Sequence, residues 1–197
     1  MTEPDKTRPD RYRLAQATRR LLNAVLVMNP DTDLGVTADR VENLAVEVEK
    51  YPAEPDRQRG HGNYRRRSPL VGRNNAMAPP FTYNFDSDRV SMRGTFGLAY
   101  EGPPGFVHGG WISLAFDEIM GMANAIEGHV ALTARLTVKY RKPTPVHKEV
   151  VIEANTERVN GRRVTTVGTL SVDGVITAEA EGLFIKLGAQ QDEEYFG

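Results

Sequence analysis

The chain has 197 residues, of which 40% are hydrophobic, and its 25 Lys and Arg stand against 26 Asp and Glu for a formal net charge of −1. That suits one globular domain of about 100 to 150 residues with an appendage, and it gives no global electrostatic reason to bind nucleic acid or an anionic membrane. The absence of cysteine excludes disulfides, thiolate metal sites and thiol nucleophiles.

His61, His108, His129 and His147 lie too far apart for a zinc-ligand pattern, so neither a metal nor a cofactor is expected. The N-terminus is charged, without an apolar signal core, and no run approaches about 18 apolar residues. A soluble cytoplasmic protein without membrane or nucleic-acid partners is the expectation.

Residues 1–10 are polar with two prolines and are expected to be disordered. From Tyr12 to Met28, Leu14, Ala17, Leu21, Leu22, Val25 and Leu26 recur at three- and four-residue spacing, the pattern of an amphipathic helix. A second helix is expected over Thr37–Lys50, with Thr37 as N-cap and Val41, Leu44, Val46 and Val48 making apolar contacts. Residues 51–80 mix Pro, Gly and Arg without periodicity and read as a linker. Its basic cluster is Arg57, Arg59, Arg65, Arg66 and Arg67.

Strand patterns follow. Residues 89–97 read as a first strand, 98–105 as a turn-rich loop, and 109–126 as a long helix. The segment 130–140 alternates, with Leu132, Ala134, Leu136, Val138 and Tyr140 on one face and Thr133, Arg135, Thr137, Lys139 and Arg141 on the other. Strands over 148–159 and 162–172 meet at Asn160-Gly161, and Asp173-Gly174 opens a further hairpin into 175–187. One strand, a long helix and a four-strand meander make an α+β order. The expected division is a helical extension and linker over 1–80, a domain over 81–188 and a polar tail over 189–197.

The helix begins in "GFVHGGWISLAFDEIMG" (105–121) and is apolar around nearly its whole circumference, so it belongs in the core, covered by the curve of the sheet. Gly109 and Gly110 allow close approach to the helix start, whose free N–H groups and dipole suit an anion or oxyanion. Asp117 lies two turns in, roughly 10 Å along the axis from Gly110, too far to cap its own helix. Burying it unpaired would cost several kcal/mol, so it needs a partner, a cleft or another subunit. Glu118 is turned about 100° away and cannot share that environment.

His-Gly-Gly with an Asp nine residues after the His, followed by "TARLTVKYRKPTP", resembles the hotdog-fold acyl-CoA thioesterases, in particular the phenylacetate-pathway and 4-hydroxybenzoyl-CoA group. The resemblance covers about residues 85–187. It implies an antiparallel sheet wrapped around the central helix, pairing of subunits into a homodimer or dimer of dimers, and a site at the subunit interface. It implies hydrolysis of an acyl-CoA, with the N–H of Gly109 or Gly110 as oxyanion donor, Gly109 favoured. Asp117 would be general base or nucleophile, and Thr133 would orient the water. His108 would either orient the thioester carbonyl or only fix the turn.

Trp111 is expected in the core or the acyl pocket, and Arg135, Lys139, Arg141, Lys142, Arg162 and Arg163 are placed to attract coenzyme A phosphates. Where many relatives carry an Asn six residues before the His, this chain has Gly102. A non-catalytic acyl-CoA-binding or regulatory hotdog protein is the alternative reading. A hydratase would need a different pattern around its His.

Overall fold

A computed structural model describes residues 9–29, 31–52 and 65–188. Its elements are α1 (Pro9–Leu26), α2 (Gly35–Glu49), β1 (Thr82–Phe85), β2 (Val90–Thr95), α3 (Gly109–Ile126), β3 (Ala131–Tyr140), β4 (Glu149–Asn160), β5 (Arg163–Val172) and β6 (Val175–Lys186). The strands form one six-stranded antiparallel sheet in the order β1-β2-β4-β5-β6-β3. This is the α+β, hotdog arrangement expected, with α3 against the sheet and two helices before it.

The long helix and the two tight hairpins follow their sequence signals. Gly161, Asp173 and Gly174 all hold positive φ (57°, 50° and 76°), as turns built on Asn-Gly and Asp-Gly require. Two strand assignments change. β1, four residues too short to show a period, pairs with β2 and adds an edge strand to those expected. β3 pairs with β6 rather than with β4, so the meander has three strands and β3 lies at the opposite edge from β1.

The helix is seated by a contrast in size. Met92, Ile152, Leu170 and Ala178 are register partners across four strands and are fully buried. Beside that row Val90, Ala154, Gly168 and Ala180 are also in register. A Cβ on Gly168 would stand 3.2 Å from the Phe116 ring and 3.3 Å from the Met120 methyl, and one on Gly182 would stand 3.0 Å from the Met120 sulfur. Small residues on the strands thus receive large ones from α3. Asn124, also buried, accepts hydrogen bonds on Oδ1 from Thr166 (2.6 Å) and Thr156 (3.2 Å), tying the end of α3 to β4 and β5.

The stretch before the sheet also enters the core. Leu70 is fully buried, and Ser68 Oγ accepts from the N–H groups of Leu70 and Val71 while donating to Glu118 Oε2 at 3.0 Å. Part of Glu118's charge is therefore met by a segment that lacks periodicity in the sequence.

The N-terminal helices depart most from expectation. The helical pattern begins at Pro9, a residue whose fixed φ suits a first turn; residues 1–8, Arg57, Arg59 and the 189–197 tail lie outside the described residues. α1 buries Ala15 and Arg19, with Gln16 and Asn23 partly covered, whereas Leu14, Leu21, Leu22, Val25 and Leu26 are exposed. The helix is amphipathic but docks by its polar stripe. α2 has no buried residue, so Val41, Leu44 and Val46 make no core contacts, and Leu34 rather than Thr37 occupies its N-cap position. No helix among the described residues is long and apolar enough to cross a membrane.

Phe116 has no exposed surface and fills the space above Gly168. Phe116→Ala is expected to cost about 3 to 5 kcal/mol in chemical denaturation, because the rigid sheet collapses poorly around the gap.

Candidate active site

His108 adopts an extended backbone (φ −62°, ψ 131°) and serves as N-cap of α3 through its ring: Nδ1 accepts the Gly110 N–H at 2.9 Å. This places the imidazole proton on Nε2 and satisfies one of the helix's open donors. It also decides between the two glycines. The Gly110 N–H is engaged, while the Gly109 N–H donates to nothing among the described residues.

Each glycine has its own steric reason. A Cβ on Gly110 would lie 3.0 Å from His108 Nδ1, in the path of the cap. A Cβ on Gly109 would lie 3.1 Å from the hydroxyl oxygen of Tyr140, at the end of β3. That hydroxyl donates to the Gly109 carbonyl at 2.9 Å and is 2.8 Å from Ser113 Oγ; with its single proton committed to Gly109, Ser113 is the donor of the second bond.

Gly109, Ser113 and Asp117 are spaced by four and make one stripe of α3 facing β3. Asp117 is half-buried there, and Thr133 Oγ1 donates to its Oδ1 at 2.7 Å. A bulge makes this contact. Thr133 is opposite Phe184 and Arg135 opposite Leu183, so Ala134 is an extra residue in β3. Alternation is reset there. Thr133 shares the helix-facing side with Leu136, Val138 and Tyr140, while Leu132 is 44% exposed, which corrects the two faces read from simple alternation. Asp117 Oδ2 has no hydrogen-bond donor among the described residues.

The remaining sequence-picked residues sort by position. Gly102 packs on the His108 turn: a Cβ there would come within 2.9 Å of His108 Cα. Trp111 is half-buried and meets Tyr100 edge-on, with centroids 4.9 Å apart. Tyr100 in turn accepts the His108 N–H on its carbonyl at 2.9 Å. Burial pushes the Tyr100 phenol's pKa upward, only partly opposed by the charge of Arg19 and by a hydrogen bond from its side chain. Arg141 donates from Nε and Nη2 to Glu179 Oε2, at 2.9 and 2.7 Å. Arg135 and Lys142 are exposed and in no ion pair among the described residues. No group of three or more His, Asp or Glu among the described residues is placed to hold a metal ion.

Sequence reading missed Ser113 and Tyr140. The four-residue spacing from Gly109 to Asp117 marks Ser113, and a tyrosine closing a strand is a side chain whose hydroxyl needs a partner when its ring is packed.

Comparison with known proteins bears on this arrangement. The family model described as the thioesterase superfamily matches residues 104–177. The crystal structure of protein RHA08564, a thioesterase superfamily protein, is 32% identical with a TM-score of 0.82, covering 89% of this chain and 94% of that one. That share of this chain exceeds what the sheet and α3 supply. The acyl-coenzyme A thioesterase THEM4 of Mus musculus is 39% identical over 97 residues, 48% of this chain and 42% of that protein. The chain therefore matches less than half the length of that relative. A hypothetical thioesterase protein of Streptococcus pneumoniae TIGR4, crystallised with coenzyme A, shares the fold at 14% identity and a TM-score of 0.53, over 55% of this chain and 86% of that one.

The cap can be tested apart from any activity. His108→Ala is expected to lower stability by about 1 kcal/mol in chemical denaturation, and His108→Asn, whose side chain also accepts from an N–H, should recover most of it.

Proposed function

The chain belongs to the thioesterase superfamily, and we propose that it hydrolyses an acyl-coenzyme A to a free carboxylic acid and coenzyme A, at sites each shared between two subunits of a homodimer or a dimer of dimers. One observation carries the reading: the open carboxylate oxygen of Asp117 and the open N–H of Gly109 are on the same helix but eight residues apart, roughly 12 Å along its axis. A water activated by the first cannot attack a carbonyl held by the second within one subunit. Two helices side by side in opposite directions would bring one subunit's Gly109 to the other's Asp117. β3, which carries Thr133 and Tyr140, is a sheet edge with most of its residues exposed, and such an edge invites pairing with a second copy.

In this mechanism Thr133 holds Asp117 Oδ1, leaving Oδ2 to take the proton of a water as it attacks the thioester carbon. The partner subunit's Gly109 N–H stabilises the oxyanion, a contribution of about 3 to 4 kcal/mol per donor. The peptide that bears the Gly109 N–H is held through its own carbonyl, that of His108, which accepts the N–H groups of Trp111 (2.9 Å) and Ile112 (3.4 Å); Tyr140 holds the next peptide by the Gly109 carbonyl, and His108 leaves Gly110 no competing N–H. The tetrahedral intermediate then expels the coenzyme A thiolate, which needs no strong acid at neutral pH. Arg135 and Lys142 are cations open to the coenzyme's phosphates, and Trp111 borders the acyl side. The names of the THEM4 relatives and the coenzyme A in the S. pneumoniae structure support this substrate class.

Asp117→Asn is expected to reduce acyl-CoA hydrolysis by about 10² to 10⁴-fold, and Thr133→Ala by about ten-fold, with little change in KM. The shared site has its own test. Co-expressed Asp117→Asn and Gly109→Pro subunits should regain about a quarter of wild-type activity, since half of the mixed dimer's sites are intact and half of the dimers are mixed. If each variant alone and the mixture are equally inactive, the two groups do not serve one site across subunits.

A further inference from the structure

A cavity lies away from the Asp117 stripe, between α1 and the β2 end of the sheet. It is an open cleft of about 500 Å³, and its lining includes Arg19, Asn23, Val27, Leu98, Tyr100 and His147. Arg19 is the unusual member. It is 8% exposed, its Nη2 donates to the Asn75 carbonyl at 2.9 Å, and its buried Nε has no hydrogen-bond partner. It forms no ion pair with any acid among the described residues, and no carboxylate lines the cavity. Burying a guanidinium without a counter-ion costs several kcal/mol, so a helix that served only as packing would gain by turning another residue inward.

α1 had such residues to offer. It exposes Leu14, Leu21, Leu22 and Val25 and instead docks by Ala15, Arg19 and Asn23, spaced by four. The orientation of the helix thus delivers a cation to the cavity. Other features shape the same space. Asn23 Nδ2 donates to the Arg19 carbonyl at 2.9 Å, and His147, also in the lining, is held at φ 61°, a conformation uncommon for a residue with a side chain. Ala24, Val27, Pro80 and Leu98 give the cavity an apolar wall.

We propose that this cavity binds a small amphipathic monocarboxylate, its carboxylate on Arg19 and its hydrocarbon body against Val27 and Leu98. A guanidinium without a paired acid favours a carboxylate, and an apolar wall favours a short alkyl chain over a small inorganic ion. The proposal goes beyond the thioesterase reading and does not depend on it, although the acid released by that reaction has the same chemistry. A ligand here would sit one hydrogen bond from the catalytic turn, because Tyr100 lines the cavity and its carbonyl holds the His108 N–H.

Trp111, the only tryptophan of the chain, stacks edge-on upon Tyr100 and is a built-in reporter. The full-length protein is titrated with octanoate, octanol and inorganic phosphate, following Trp111 fluorescence and calorimetric heat. Octanoate is expected to saturate, with octanol and phosphate each weaker by about ten-fold or more. Arg19→Gln should weaken octanoate by about ten-fold or more, and Ala24→Phe, which fills the cavity without touching the guanidinium, should abolish binding even if Arg19→Gln folds poorly. Asp117→Asn should leave octanoate affinity unchanged, which separates this cavity from the proposed catalytic site and from product binding there. Absence of octanoate binding, equal binding of octanol, phosphate binding as tight as octanoate, or loss of binding in Asp117→Asn but not in Ala24→Phe would each overturn the proposal.

Discussion

The hydrogen bond from Thr133 to Asp117 depends on a single inserted residue. With strict alternation along β3, Thr133 would face outward with Thr137 and Lys139, and Asp117 would meet no hydroxyl. Ala134 takes no place in the pairing with β6, so the strand's parity changes at that point and a polar side chain arrives on the apolar side of the sheet. After the bulge, Leu136, Val138 and Tyr140 continue on that side, opposite Gly182, Ala180 and Ala178. The core is preserved along one half of β3, and a polar position is created on the other. Both halves face the same helix, so one strand bears on both ends of the stripe from Gly109 to Asp117.

Tyr140 links that strand to the helix start. Because its hydroxyl bonds the Gly109 carbonyl and sits where a side chain at 109 would be, the peptide between Gly109 and Gly110 is fixed by β3. His108 holds the same peptide by its N–H, from the other side. Of the two open donors that a Gly-Gly helix start presents, one is consumed internally and one is left. A single N–H whose peptide is held from behind by the first helical hydrogen bonds, to the His108 carbonyl, is a more directed donor than a pair of free ones, because little reorganisation remains when charge develops in front of it.

What was legible in the sequence was whatever depends on local pattern. The bounds of the central helix follow from an apolar circumference between a His-Gly-Gly start and the Glu127-Gly128 end, and the two hairpins follow from Asn160-Gly161 and Asp173-Gly174. Asp117 and Thr133 were visible through family resemblance. Their contact was not, because a bulge has no signature in an alternating run such as "ALTARLTVKY". The partner of β3 was hidden for a related reason: order in the sheet is set by which edges remain after the β4–β6 meander closes, not by any residue of β3. β1 was too short to show a period. The core role of Leu70 and Ser68 lies in a stretch whose prolines and arginines mask it.

The N-terminal helix reverses the usual inference from amphipathicity. A hydrophobic stripe predicts which face of a helix is covered only when the covering surface is itself apolar and the helix has no other obligation. The surface presented to α1 by Gly97, Tyr100 and His147 is neither flat nor wholly apolar, and it meets Arg19 and Asn23 rather than leucines. Ala15, one turn before Arg19, allows the backbone close enough for the guanidinium to reach the Asn75 carbonyl. The exposed Leu14, Leu21, Leu22 and Val25 are the consequence. A helix cannot present both stripes to one neighbour, so burying the arginine places the leucines outward, and that cost in apolar exposure is offset only if the arginine's burial achieves something that packing alone does not.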